Sequence, residues 1–399
     1  MTIFAIRGTL RRPSSRAPTL AAAERVAGHV TLVFRFRTLL PVAARFRADI
    51  GCPSDTRHES RRVMNRLGAL ILSVLVFAAL AIVSSALAQR GKSDAPDKRP
   101  VREILKAAKS WGYQLQNISA AKLDATSFDV LIVDAGMGIG DNAGLKGEEI
   151  KRLKTKPDGS RRLVIAYVNI GEAEDYRYYW QASWAKAPPP WMGSPNCRWK
   201  GDHRVRHWAQ DWQAIVYGSR RSYLGRLIDL GYDGAWLDRV DIFYYWRGER
   251  WQAADDMVRF VTDLSVWAKK LNPQFLIVPQ NGEELLSDAR YRAAIDGMGK
   301  EDMLFGDRGN DVRNAVPRIE RARRNFEPAR GDQLPVLAVE YARRRENIAA
   351  AKWELNALGF VPYSGPRSLA YIGQEGPRHN EDGDTEATVS DQGDDGSCG

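Results

Sequence analysis

At 399 residues the chain is long enough for one large domain or two ordinary ones, and its formal net charge is +10. Spread evenly, that charge would suggest nucleic acid or an anionic surface. Instead residues 1–63 hold twelve Arg and no Lys against four acids, which leaves residues 89–399 at about +1 and removes the main support for a nucleic-acid partner.

The basic stretch 1–63 ends just before Met64, where a shorter reading frame would begin. Residues 64–88 then read as a signal peptide: Arg66, an apolar run from Leu67 to Val83, and the small-residue site Ala86-Leu87-Ala88. The alternative is a membrane anchor with a basic cytoplasmic arm, since 17 apolar residues lie near the lower limit for spanning. On either reading the remaining chain is exported, periplasmic or secreted, and meets a membrane only through this segment. Residues 89–100 form a polar linker, 101–373 a single α/β domain, and 374–399 an acidic tail with the composition of disorder.

Within 101–373, short apolar runs of β type alternate with helical patterns, as repeated βα units require. Eight strands are predicted: Val130–Asp134, Leu163–Asn169, His207–Asp211, Gly234–Asp238, Phe275–Gln280, Ala294–Glu301, Pro335–Tyr341 and Gly359–Tyr363. The third has the least β-branched content. Helical patterns cover Arg102–Ser110, Gly147–Leu153, Trp212–Leu230, Ala253–Leu271 and Arg345–Leu358. Eight such units predict a single (β/α)₈ TIM barrel. A doubly wound open sheet is the alternative, and it would need a Gly-rich phosphate turn. Ala135–Gly140 (AGMGIG) follows a strand but lacks the G-x-G-x-x-G spacing, so it reads as a loop at the barrel mouth. No spacing suits a metal site and no cofactor is implied. Cys197 and Cys398 could pair in an oxidising compartment.

Barrel enzymes build their sites at the carboxyl ends of the strands. Asp134, Asn169, Asp211, Asp238, Asn281, Glu301 and Glu340 all fall there. Any one of them serves equally well as a helix cap or a solvated charge, but together they form a carboxylate-rich rim suited to acid–base work on sugars. Asp238 ends the buried-looking run Gly234-Ala235-Trp236-Leu237, and Asp241 is either a second ligand or the cap of the next helix. Strands four and six are separated by one strand, so their backbones lie roughly 9–10 Å apart, a span open to either a retaining or an inverting carboxylate pair. Six tryptophans crowd a loop-rich stretch, namely Trp180, Trp184, Trp191, Trp199, Trp208 and Trp212, where flat rings would suit sugar faces.

These motifs resemble glycoside hydrolase family 114, of the endo-α-1,4-polygalactosaminidase type. The likeness rests on AYVNIGEAEDYRYYW at Ala166–Trp180, HWAQDW at His207–Trp212, GYDGAWLDRVD at Gly231–Asp241 and PQNGEEL at Pro279–Leu285. It continues through DGMGKED at Asp296–Asp302 and VLAVEYA at Val336–Ala342. The resemblance implies a (β/α)₈ barrel acting on α-1,4-linked galactosamine polysaccharide, with Asp238 as nucleophile and Glu301 as acid/base. It also implies that Tyr167, Glu172, Gln280, Asn281 and Glu340 line subsites, and Asp134, Asn169, Trp208, Asp211, Asp241 and Tyr341 complete the expected substrate-binding set. A non-catalytic barrel that binds exopolysaccharide is the competing reading, and a docking partner in polysaccharide export is a third.

Overall fold

A computed structural model describes residues 99–136 and 144–373 of the chain. The stretch 1–63, the signal-like segment 64–88, most of the 89–100 linker, the tail 374–399, Cys52 and Cys398 lie outside the described residues, as do residues 137–140 of AGMGIG.

Eight strands run parallel: β1 (Trp111–Gln114), β2 (Val130–Asp134), β3 (Leu163–Asn169), β4 (Gly234–Asp238), β5 (Leu276–Pro279), β6 (Met298–Glu301), β7 (Val336–Glu340) and β8 (Val361–Ser364). Strands β1 to β5 pair in sequence, as do β6 to β8. A parallel bridge between Gln280 and Gly299 joins β5 to β6. Closure from β8 to β1 is carried by the Trp111 indole, which donates to Val361 O at 2.8 Å, and by its ring contact with Tyr363 at 5.3 Å. The result is a closed (β/α)₈ barrel.

Burial explains the strands. VLIV in β2 and all of LVIAYVN in β3 are buried, because one face packs the barrel interior and the other the surrounding helices. Those helices include α1 (Val101–Ala107), α2 (Ala120–Asp124), α3 (Gly147–Leu153), α4 (Gln210–Val216), α5 (Tyr223–Leu230), α6 (Ala253–Leu271), α7 (Val316–Asn325) and α8 (Arg345–Ala357). In α6 the stripe Met257, Phe260, Val261, Leu264 and Ala268 is buried, while Asp255 and Asp256 open the helix and Lys269 and Lys270 close it. That charge order complements the helix dipole.

Two expectations are corrected. His207–Asp211 is no strand: it turns into α4, with His207 buried and its Nε2 2.8 Å from Ala253 O. HWAQD lacks the β-branched residues that favour a pleated surface. The strand that completes the eight is β1, whose WGYQ is too short and too Gly/Gln-rich to announce itself, yet is buried at all four positions. Trp212–Leu230 also divides into α4 and α5, with Gly218 at φ +107° between them.

Candidate active site

Alternate side chains of each strand enter the barrel. Register sets Asp134 beside Tyr167, Tyr167 beside Trp236, Asn169 beside Asp238 and Glu301 beside Val339. At the carboxyl ends this inward set comprises Tyr113, Asp134, Tyr167, Asn169, Asp238, Gln280, Glu301 and Tyr341, all lining one cleft of about 2390 Å³. Below the mouth, the Trp236 ring packs against Trp111 at 5.4 Å and Tyr113 at 5.7 Å. Trp236 reaches across to β6 at Gly299, where a Cβ would overlap its indole.

Gln280 ties the two central carboxylates together. Its Nε2 donates to Asp238 Oδ1 at 3.1 Å and to Glu301 Oε2 at 2.7 Å. Distances of 3.1 and 2.7 Å from one nitrogen keep those two oxygens within about 5.8 Å of each other. Since a planar amide splays its two N–H bonds by about 120°, the separation is close to ~5 Å. The Gln280 carbonyl oxygen is itself held by Tyr113 OH at 3.2 Å and by Trp236 Nε1, so the amide cannot flip without losing buried bonds. Tyr167 OH donates to Asp238 Oδ2 at 2.6 Å, and Tyr341 OH donates to Glu301 Oε1. Asn281 accepts from Glu301 N at 3.2 Å and from Lys300 Nζ at 3.3 Å.

Burial raises the proton affinity of both carboxyls. Burial, with the charges of Asp302 and Asp238, pushes Glu301 up to about 7, against the pull of Tyr341 and Arg367. Burial also raises Asp238, but the Tyr167 hydrogen bond and the Arg239 charge work to keep it ionised. Glu301 is thus poised to carry a proton near neutrality, while in Asp238 a hydrogen bond and a cation oppose the effect of burial.

Each of the three floor residues is followed by a residue forced into the left-handed region: Arg239 at φ 57°, Asn281 at 58° and Asp302 at 50°. Side chains other than glycine pay about 1–2 kcal/mol for that conformation. The turn at these strand ends is what leaves Asp238, Gln280 and Glu301 facing into the mouth.

A second acidic group forms the wall on the β2–β4 side. Arg177, fully enclosed, grips Asp134 at 2.7 and 2.9 Å and Glu174 at 2.7 and 3.0 Å. Glu172 is buried between Asn196 Nδ2 at 2.9 Å and Arg239 at 3.3 Å. Asn169 braces this turn, its Oδ1 accepting from Gly171 N at 3.2 Å and Glu172 N at 2.8 Å. Asp202, also on the cleft wall, is pushed up to about 9 by burial and by Glu174, Glu172 and Asp238. Asp241 faces the cleft from a short 3₁₀ turn and does not cap the following helix, whose N-cap position is Ile242.

Three expected site residues lie elsewhere. Glu340 points away from the barrel interior, because Leu337, Val339 and Tyr341 take the inward places; its oxygens accept from Leu304 N at 2.8 Å and Phe305 N at 3.0 Å. Asp211 is exposed in the first turn of α4. Trp208 packs edge-on against Trp246 at 5.6 Å, outside the cleft. The other tryptophans mostly pack on one another, through Trp180, Trp184, Trp191 and Trp212 in a chain of ring contacts between 5.1 and 5.3 Å. Of the six, Trp199 alone lines the cleft. Tyr113, Arg177, Asp202 and Arg367 were absent from the expected set. Tyr113 was hidden with its strand, and Arg367 sits past the last one.

The chain matches the model of glycoside-hydrolase family GH114 over residues 91–378. It is 32% identical over 267 residues to the uncharacterized protein MJ1477 of Methanocaldococcus jannaschii, covering 63% of this chain and 74% of that one. An uncharacterized protein of Deinococcus radiodurans is 32% identical over 277 residues, covering 69% and 84% respectively. Among solved structures, the glycoside hydrolase domain of PelA from Pseudomonas aeruginosa is similar at 17% identity and a TM-score of 0.49, over 68% of this chain and 100% of that one. Because the family match takes in every strand of the barrel and both carboxylates, the chain belongs to glycoside hydrolase family GH114.

Proposed function

We propose that this protein is an exported, endo-acting glycosidase that cleaves α-1,4-linked galactosamine-containing polysaccharide with retention of configuration. The observation that carries the reading is the Gln280 amide, which donates to Asp238 and Glu301 at once and so holds them within about 5.8 Å. Retaining enzymes need their carboxyls ~5–5.5 Å apart, and inverting ones ~6.5–9.5 Å. In the first step the Glu301 carboxylic acid protonates the glycosidic oxygen while Asp238 attacks the anomeric carbon, releasing one sugar chain and leaving a glycosyl ester on Asp238. In the second, the Glu301 carboxylate takes a proton from water, whose oxygen displaces Asp238 and restores both groups.

A cleft of about 2390 Å³ favours a polymer over a single sugar, since pockets for small molecules span roughly 300–1,000 Å³. Carboxylates of Asp134, Glu172 and Glu174 on one wall suit ammonium groups of an amino sugar. Export is supported by the Leu67–Val83 run and the Ala86-Leu87-Ala88 site. The test is mass spectrometry of α-1,4-galactosamine oligomers incubated with the wild-type chain and with Glu301→Gln. Shorter oligomers should form with the wild type, and the variant should be slower by about 10²–10⁴-fold. Intact oligomers with a folded wild type would sink the substrate, and undiminished cleavage by Glu301→Gln would sink the assignment of the acid.

A further inference from the structure

Charge on the cleft wall is segregated. From Tyr113 to Asp241 the lining holds six acids against three bases, whereas from Arg308 to Leu369 it holds six arginines and one acid, Asp311. Between them lie Glu283, Glu284, Glu301 and Asp302, from the ends of β5 and β6, with Arg247 and Lys300. The Asp311 carboxylate is turned onto the backbone, where Oδ1 accepts from Arg343 N at 3.0 Å and Arg344 N at 2.9 Å. Arg318 meets Asp307 at 3.1 Å, and Arg367 is matched by Asp302. Arg308, Arg321 and Arg344 are exposed on three separate elements, respectively the turn before strand Gly309–Arg313, helix α7 and the segment after β7. Arg318 and Arg321 stand one helical turn apart, so both present to the same face, and both line the cleft together with Ala322.

Topology sets the two halves against each other. Strands β2, β3 and β4 deliver Asp134, Asn169 and Asp238, while the β6–β7 connection and the end of β7 deliver Arg308, Arg318, Arg321, Arg343 and Arg344. In a ring of eight, the second and third strands face the sixth and seventh across the axis. Asp238 on β4 and Glu301 on β6 therefore stand between an acidic flank and a basic one.

We propose that the cleft takes a glycan of mixed charge, with amino-sugar units on the acidic side of the cleaved bond and a carboxylate-bearing sugar on the arginine side. The inference rests on the glycosidase reading above and narrows its substrate class. A polymer of ammonium groups alone would set like charges against Arg308, Arg321 and Arg344. A carboxylate there meets guanidinium forks that bind it in two-point fashion and stay charged at every working pH.

The test uses the full chain carrying Glu301→Gln, so that bound sugars are not turned over, and calorimetry with two probes, α-1,4-tetragalacturonate and α-1,4-tetragalactosamine. Tetragalacturonate should bind in 50 mM salt and weaken several-fold at 300 mM, as screening of a partly exposed charge contact demands. Adding Arg321→Glu and Arg344→Glu, both at exposed positions, should weaken tetragalacturonate at least tenfold and leave tetragalactosamine equal or tighter. Arg321→Gln with Arg344→Gln should fall between, which separates charge from misfolding. Tetragalacturonate that fails to bind, or binds the reversed variant equally, overturns the mixed-charge assignment even where the wild type cleaves galactosamine oligomers. Arginine-dependent binding alongside a wild type that leaves galactosamine oligomers intact keeps the anion site and sinks the galactosamine substrate of the reading above instead.

Discussion

Arg367 meets Asp302 as a two-point ion pair, Nη1 lying 2.8 Å from Oδ2 and Nη2 2.9 Å from Oδ1. The same guanidinium lies 4.4 Å over the Tyr341 ring, whose hydroxyl donates to Glu301. Glu301 thus has an anion as its chain neighbour and a cation that neutralises that anion. Its other close partners are Asp238 across the Gln280 bridge and the neutral Gln280, Asn281 and Tyr341.

Removing either member of the Arg367–Asp302 pair should move the proton affinity of Glu301 in opposite directions. Glu301 must be protonated for the first step, so kcat/KM falls as pH rises through its value near 7. Arg367→Gln leaves Asp302 uncompensated and should carry that basic limb to higher pH by roughly 0.5–1 unit. Asp302→Asn should carry it lower by a similar amount. Rates measured from pH 4 to 9 decide the matter: a limb that stays in place while kcat drops in both variants would mean that the pair merely supports the fold.

Glu301 should also cost the protein stability at alkaline pH. Its folded value, about 7, lies above the ordinary 4.5. The folded state therefore holds a proton that the unfolded chain has released between these values, and stability declines as pH rises from about 4.5 to 7. Partial exposure at the cleft floor reduces the effect to about 1–3 kcal/mol. Glu301→Gln should accordingly unfold later than wild type in urea at pH 8, with the gap closing below pH 4.5. A gap independent of pH would contradict the linkage.

Part of this arrangement was legible in the residues. GAWLD announced β4 because an apolar run ends in one carboxylate, and the bounds Gly234–Asp238 are those of the strand. What escaped was mostly set by geometry that composition does not carry. Glu340 and Tyr341 are neighbours, and only the phase of the pleat decides which one enters the barrel. The turns after Asp238, Gln280 and Glu301 use Arg239, Asn281 and Asp302 in the left-handed region, and of the three only the second is followed by a glycine, Gly282 at φ 66°. Trp180, Trp184, Trp191 and Trp212 sit in a loop-rich stretch that resembles a binding surface, but their rings bury one another.

Arg162 should prove a stability determinant remote from the chemistry. It is fully buried and donates to the carbonyls of Leu123, Phe128 and Leu153, each at 3.2 Å, and to Thr126 O. The positive guanidinium thereby satisfies carbonyls near the carboxyl ends of α2 and α3. Arg162→Leu strands those acceptors and should cost about 3–5 kcal/mol, a fall in Tm of roughly 6–15 °C. Turnover per folded molecule should be unchanged at low temperature; an equal loss of both would place Arg162 in the site's own framework.

Gly299→Ala should damage stability and catalysis by separable routes. The added methyl overlaps the Trp236 indole, whose Nε1 fixes the Gln280 carbonyl oxygen and so the amide between the carboxylates. Overpacking of this kind costs about 1–3 kcal/mol, and a displaced Gln280 should lower kcat by about 10–10²-fold. Adding Trp236→Leu to Gly299→Ala makes room for the methyl but removes the indole N–H. Denaturant midpoints of the double variant should therefore recover part of the loss while kcat stays low. Recovery of both together would mean that Gln280 needs only space, and that its bond from Trp236 contributes nothing to holding Asp238 and Glu301 apart.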